Sequence, residues 1–363
     1  MTTMKKAVLF LFFALAALTM EAKKLPPLEF ISGHELTLIN KLMDTPRRYA
    51  RVDTARYGGF TDYQRNTLVQ QPAGLALAFE TNSDRIYFTI DYIKKNSAYN
   101  ETNLTAAGAD LYIKDADGRW IYAGNNTPRK KDDEILELVS NMAPGNKECL
   151  LYLPIISIVD SISIGVTPGC YVRPIANPFR HRVVFWGSSF THGIATSRPG
   201  MAYPMQFERA TGIHTPALGV SGNSKLQQSF ARVLADTDAD AFVFDAFSNP
   251  TAEEIEANFK PFMATLRAKH PTTPVIFMQT IYREHRNFDT KYNAAEQAKQ
   301  DMARRVVTEA MADDPNIYFI EPTAGDNHET TCDGTHPSDL GYYLWMQSIK
   351  QPLLDILAKY GIE

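Results

Sequence analysis

Cysteine is scarce in this chain, with only Cys149, Cys170 and Cys332 among 363 residues. So low and odd a count excludes a disulfide framework, and the spacing fits no zinc pattern. Cys149 and Cys170 remain able to pair in an oxidising compartment; otherwise the three read as small buried hydrophobes. Long apolar runs are as rare. Beyond residue 22 no stretch approaches the roughly 20 apolar residues of a membrane-spanning helix, so no stable membrane span is expected. Runs of like charge, low-complexity tracts and repeats at solenoid periods are missing too. A formal net charge of −4 gives no electrostatic footprint for nucleic acid. What is present, 44% apolar and 21% charged residues, suffices for a sizeable globular core.

The N-terminus has a layout of its own. Lys5 and Lys6 precede a mostly apolar run from Ala7 to Met20, and the small Ala22 follows. That is the order of a secretory signal peptide, here residues 1–22, and it predicts a secreted or periplasmic protein. No cysteine lies beside Ala22 to carry a lipid anchor.

The rest divides in two. Over residues 24–178 the signals are those of strands: Leu75–Phe79, Arg85–Tyr92, Asp110–Lys114 and Arg119–Ala123, short, aromatic and partly alternating. Asp115-Ala116-Asp117-Gly118 reads as a hairpin turn rather than part of a calcium loop. Cys149–Val159 and Ser161–Val166 read as two further strands parted by Asp160. With no helix evident between them, these strands predict an all-β sandwich. Residues 181–363 alternate instead. Val183–Trp186, Ala241–Phe247, Pro274–Gln279 and Ile317–Ile320 are apolar runs of buried parallel strands. Helical stretches Ser224–Ala235, Thr251–Lys269 and Tyr292–Ala312 lie between them, with Thr251 and Glu254 as a capping box. This is the pattern of an α/β parallel sheet, whose sites sit at the carboxyl ends of its strands. Pro174 and Pro178 stiffen the join, so the sandwich is expected to pack against the second domain and shape its cleft.

Chemistry gathers at those strand ends. After Val183–Trp186 comes Gly187-Ser188-Ser189-Phe190-Thr191-His192-Gly193, a small-residue turn that exposes a hydroxyl and a backbone N–H together. Near the other end, Asp333-Gly334-Thr335-His336-Pro337 puts a carboxylate three residues before an imidazole. Serine needs a base, and the base needs a third group to hold its tautomer; Ser189, His336 and Asp333 fill those roles. Ser338 reads as the N-cap of a last helix, about Asp339–Tyr360.

Gly187–Gly193 resembles the first block of the SGNH/GDSL hydrolases, and Asp333–His336 the last, Asp-x-x-His. Leu218–Asn223 resembles the second block and Phe247–Pro250 the third, in order and at the right strand ends. The resemblance covers residues 181–363. It implies a three-layer α/β/α domain, a serine esterase without metal or cofactor, and an oxyanion hole of Ser189 N–H, Gly222 N–H and the Asn249 amide. Three positions depart from the pattern: Ser188 stands where many members carry Asp, and Phe247 and Pro250 replace a Gly and an Asp. Upstream, Gly108-Ala109-Asp110-Leu111-Tyr112 resembles the Gly-x-Asp-Leu-Tyr motif of a jelly-roll-like sandwich that precedes such hydrolases in bacteria, Bacteroidetes above all.

Arg283 and His285, in the polar loop after Pro274–Gln279, and His192, three residues past Ser189, are candidate substrate-binding residues. Asp326, His328 and Glu329 lack the spacing of a metal site. The substrate is expected to be a small-molecule or polysaccharide ester, with O-deacetylation of carbohydrate foremost. A short-chain lipid esterase, an acyltransferase and a carbohydrate-binding protein with an inactive hydrolase domain are the alternatives.

Overall fold

The computed structural model describes residues 25–129, 134–323 and 328–363. The signal-peptide reading of residues 1–22, and Asp326, lie outside them. The N-terminal half contains β1 (Glu29–Ser32), β2 (Thr37–Ile39), β3 (Ala76–Thr81), β4 (Ile86–Lys94), β5 (Ala109–Lys114), β6 (Trp120–Asn126), β7 (Leu136–Val139), β8 (Lys147–Tyr152), β9 (Ile158–Val166) and β10 (Val172–Pro174). They pair antiparallel into two sheets, β1-β9-β4-β7 and β10-β3-β8-β5-β6, and β2 shares the outer edge of β3 with β10. Leu77, Phe79, Leu111 and Leu151 of one sheet meet Phe88, Ile90, Ile162 and Ile164 of the other in the sandwich core.

Two expectations need correction here. The chain breaks at Leu153–Ser157, not at Asp160, which sits exposed within β9. Pro154 explains the break, since it has no N–H for a ladder. The N–H groups of Leu153, Ile155 and Ser157 leave the sheet to donate to the carbonyls of Leu75, Thr105 and Ala106. Short helices also interrupt the strands, α1 (Asp62–Asn66) capped by Thr61 and α2 (Asn103–Ala107) capped by Thr102. The cysteines are free, Cys149 buried in the sandwich core with Cys170 against it.

In the C-terminal half β11 (Arg180–Gly187), β12 (Ile213–His214), β13 (Ala217–Gly219), β14 (Ala241–Asp245), β15 (Val275–Met278) and β16 (Ile317–Ile320) form a parallel sheet. Its order is β12-β11-β14-β15-β16, with β13 following β12 along the same edge of β11. The helices are α3 (Ser189–His192), α4 (Tyr203–Thr211), α5 (Gln228–Ala235), α6 (Ala252–Arg267), α7 (Thr290–Asp313) and α8 (Asp339–Leu357). Val184, Trp186, Phe244 and Phe277 face Phe230 of α5, Phe262 of α6 and Val307 of α7. Val183, Phe185, Val243 and Ile276 face Phe207 of α4 and Trp345 and Ile349 of α8. Both faces of each strand are therefore covered, which is why the strands are continuous apolar runs. The fold is a three-layer α/β/α domain preceded by an all-β sandwich. Strand order reverses at β11, whose neighbours are β13 on one side and β14 on the other. A crevice opens at such a switch point, beyond the carboxyl ends of the three strands.

The two halves share a core. Ala76, Ala78, Leu150 and Tyr152 point away from the sandwich interior and join the cluster of α4 and α8. The Gly108–Tyr112 motif lies on this seam. Asp110, fully buried, accepts from Arg198 Nη1 at 2.7 Å and from Gly200 N–H at 2.9 Å. Arg198 also donates to the Tyr112 hydroxyl, and Arg209 lies 3.9 Å from the centre of the Tyr112 ring. Leu111, between them, turns into the sandwich core. Alternation along β5 thus divides the motif between internal packing and the seam.

Candidate active site

Three strand ends build the crevice floor. β11 ends at Gly187, and a side chain there would come within 2.3 Å of Thr191 Oγ1. Ser188 caps α3, its Oγ accepting from Phe190 N–H at 3.1 Å, which leaves Ser189 as the first helical residue. β13 ends at Gly219, where a Cβ would sit 2.0 Å from the His192 backbone nitrogen, so glycine lets this strand close on α3. The Ser221–Ser224 turn follows, with Gly222 at a φ of +68°. β14 ends at Asp245, and the loop beyond it carries Ser248 and Asn249.

Asp245 ties these pieces together, and nothing in the sequence singled it out. Its buried carboxylate accepts from Ser188 N–H at 3.0 Å, Ser188 Oγ at 2.5 Å and Ser248 Oγ at 2.6 Å. Burial pushes this carboxyl up, against the pull of the two serine hydroxyls. A carboxylate therefore stands beside Ser188 after all, supplied by the neighbouring strand.

Ser189 Oγ lies 3.0 Å from His336 Nε2, and His336 Nδ1 lies 2.8 Å from Asp333 Oδ2. The acid and the base come from one knotted turn. Thr331 bridges to Pro337, Cys332 N–H donates to the His336 carbonyl at 2.8 Å, and Gly334 takes a φ of +83°. Ser338 caps α8 directly behind it. Burial pushes the Asp333 carboxyl up. Donors from His336 N–H, the His336 ring, Asn100 and Thr335 N–H outweigh that and hold it well below the usual carboxylate range. An ionised carboxylate so held keeps the Nδ1 proton in place and turns Nε2 toward the serine as an acceptor.

Among the described residues Ser189 N–H and Gly222 N–H have no acceptor. Asn249 uses its Oδ1 to accept from Ser224 N–H at 3.1 Å, which leaves its NH₂ uncommitted. Three donors thus border the crevice on three loops.

The other candidates each bond to the loops that build the crevice. His192 is 1% exposed: its Nδ1 accepts from Ser221 N–H at 3.3 Å, so the ring proton sits on Nε2, facing the Ile155 carbonyl at 3.1 Å. Burial, helped by the Arg51 charge, pushes it well below the usual imidazole range; it holds the Ser221 turn and forms part of the cleft wall. Arg283 is 8% exposed, donates to the Ser248 carbonyl at 2.6 Å and pairs with Glu296. Its charge is spent on holding the Asn249 loop. His285 is exposed, but its Nδ1 meets Thr335 Oγ1 at 3.2 Å and its N–H donates to the Gly334 carbonyl. It props the Asp333–His336 turn. His328 contacts Glu284 at 2.9 Å.

A cleft of about 370 Å³ opens beside His336, lined by Ile194 and Ser221 on one wall and by Tyr63, Gln71 and Asn100 of the N-terminal half on the other. Just behind Asn100, Glu101 accepts from Ala195 N–H at 3.3 Å, and its buried Oε2 has no partner among the described residues. Burial, opposed only by that N–H, pushes the Glu101 carboxyl up to about 8 from 4.5. Between those values the folded chain holds a proton that the unfolded chain has released, so stability falls as pH rises across the window. Glu101→Gln keeps the acceptor and removes the charge. Its melting temperature is expected to match wild type near pH 5 and exceed it by a few °C at pH 8, on the order of 1–3 kcal/mol. Parallel melting curves from pH 5 to 8 would count against this account of Glu101.

Among the described residues no helix is long and apolar enough to cross a membrane. Residues 180–354 match the model of the GDSL-like lipase/acylhydrolase family, and residues 28–172 match a model described as the N-terminus of SGNH-hydrolase-type esterases. No curated protein matches the chain. Among solved structures, a Bacteroides ovatus protein described as a GDSL-like lipase is 38% identical, with a TM-score of 0.88 over 92% of this chain and 98% of its own. A salicylyl-acyltransferase from a tetracycline biosynthetic pathway is 18% identical, with a TM-score of 0.72 over 93% and 99% of the two chains. A family two carbohydrate esterase from Cellvibrio japonicus, 12% identical, has a TM-score of 0.57 over 92% and 98%. These last two share the fold. The chain belongs to the GDSL-like lipase/acylhydrolase family of SGNH esterases, with the Gly-x-Asp-Leu-Tyr domain at its N-terminus.

Proposed function

We propose that this protein is an exported serine esterase that removes O-acetyl groups from carbohydrate through Ser189, His336 and Asp333. The observation that carries the reading is the unbroken chain of hydrogen bonds from Ser189 Oγ through both ring nitrogens of His336 to Asp333. His336 takes the proton of Ser189 as its oxygen attacks the ester carbonyl. The Ser189 and Gly222 N–H groups and the Asn249 NH₂ hold the oxyanion. The alcohol leaves with the proton from His336, and water then releases the acyl group by the same steps in reverse.

Three features support a carbohydrate substrate: the apolar N-terminal run ahead of the sandwich, the polar N-terminal wall of the cleft, and a fold shared with carbohydrate esterases. The test is release of acetate from a panel of acetylated polysaccharides, beside p-nitrophenyl acetate, butyrate and octanoate. Turnover that rises with acyl length and no acetate from any glycan would overturn the substrate assignment. Glycan binding without turnover of any ester would favour an inactive, carbohydrate-binding module. The acyltransferase alternative predicts an ester product when an alcohol acceptor is added.

A further inference from the structure

The loop between β4 and α2 belongs to the N-terminal half, yet it reaches the acid of the triad. Asn100 Nδ2 lies 2.8 Å from Asp333 Oδ2 and 3.4 Å from His336 Nδ1, and the Tyr99 hydroxyl lies 3.4 Å from the same oxygen. An ionised carboxylate offers only acceptors, so the amide edge facing it must be the NH₂. The two Asp333 oxygens divide their work. Oδ1 accepts from the backbone N–H groups of Thr335 and His336, at 3.0 and 2.7 Å, which fixes the carboxylate within its own turn. Oδ2 faces the imidazole, and Asn100 is its second partner at normal hydrogen-bond length.

The loop is held where it is. Asn96 donates to the Ile156 carbonyl at 2.7 Å and so anchors it to the sandwich. Thr102 Oγ1 donates to the Ser197 carbonyl at 2.7 Å, and Glu101 accepts from Ala195 N–H, both across the seam. A side chain on a loop pinned at both ends can aim a hydrogen bond without ordering itself during the reaction.

We infer that Asn100 is a positioning residue: its amide fixes Oδ2 of Asp333 against His336, so that the N-terminal domain completes the constellation of the hydrolase domain. This inference rests on the serine-esterase reading above. Among the described residues Asn100 has no hydrogen bond to Ser189, Gly222 or Asn249; it reaches the triad through Asp333 and, at 3.4 Å, the far side of the His336 ring. Without it, Oδ2 is free to swing or to take water, and the imidazole loses part of the constraint on its angle. Its donor also tempers the negative charge beside Nδ1.

The test is steady-state hydrolysis of p-nitrophenyl acetate by the full chain, with wild type, Asn100→Ala, Asn100→Asp and Ser189→Ala measured together. Asn100→Ala is expected to lose roughly tenfold to thirtyfold in kcat, with KM within about twofold of wild type. Asn100→Asp keeps the size and replaces the donor by a second carboxylate, and should lose at least as much. Melting curves should place all variants within a few degrees of wild type. If Ser189→Ala is inactive while both Asn100 variants keep wild-type kcat, Asn100 does not position the triad. A loss confined to KM overturns the inference too, because it makes Asn100 a substrate contact. If wild type is inactive or Ser189→Ala retains activity, it is the serine-esterase reading that fails.

Discussion

Ser189→Ala is expected to abolish ester hydrolysis, with kcat falling by roughly 10⁴-fold or more and the fold unchanged. The substitution deletes one oxygen at the start of α3, where the Ser188 cap, the Ser188 contacts to Asp245 and the backbone all remain. Among the described residues the hydroxyl's one side-chain partner is His336, which keeps Asp333 on its far nitrogen. Packing therefore has little to lose, and the chemistry loses the atom that forms the covalent intermediate. His336→Ala should do nearly as much harm, since a serine without a base is a poor nucleophile. The double variant should be no worse than the worse single, because the two residues act on one proton and one bond. Turnover of p-nitrophenyl acetate by Ser189→Ala within about tenfold of wild type, with native circular dichroism, would remove Ser189 from the mechanism.

These residues were readable from the sequence for a local reason. Parallel strands buried on both faces leave unbroken apolar runs, and the turn at each carboxyl end is short enough to be seen beside its strand. Asp333 and His336 lie within one turn, so their partnership is a matter of spacing. Asp245 and Asn100 had no such signal. Asp245 lies inside the apolar run read as Ala241–Phe247, where nothing local marks it; its work depends on Ser188, 57 residues away. Asn100 meets Asp333 across 233 residues, in a different domain, and no local pattern records that contact.

Position alone did not reveal which loops Arg283 and His192 hold. Both lie near strand ends at the crevice, and a polar side chain there can face either the opening or the loops that build it. Both are bonded to those loops, because the carbonyls of Ser248 and Ile155 and the Ser221 N–H need buried partners, and His192 lines the cleft as well. Much of the polar complement near this site therefore holds loops in place, which is how a crevice built from turns stays preorganised.

Asn249→Ala puts that preorganisation to its most direct test. The third block departs from the family pattern at Phe247 and Pro250, and the structure shows what Phe247 does. Phe247 stacks against Phe277 and Phe259 beneath the loop. The Ser248 carbonyl is gripped by Arg283, and the Ser248 hydroxyl meets Asp245 and Thr280. The loop thus holds its shape without the usual glycine, and Asn249 presents a fixed NH₂. A donor aimed at charge that exists only in the transition state should affect kcat and leave KM almost unchanged. The expected loss is roughly 10²–10³ in kcat, about 3 kcal/mol. Alanine also strips Ser224 N–H of its acceptor, which should cost about 1–3 kcal/mol of stability. Asn249→Asp separates the two effects: it keeps an oxygen for Ser224 and exchanges the donor for a carboxylate. Its stability should stay near wild type while its kcat falls at least as far as that of the alanine variant. If KM rises and kcat holds in both variants, Asn249 grips the substrate, and oxyanion stabilisation falls to the N–H groups of Ser189 and Gly222.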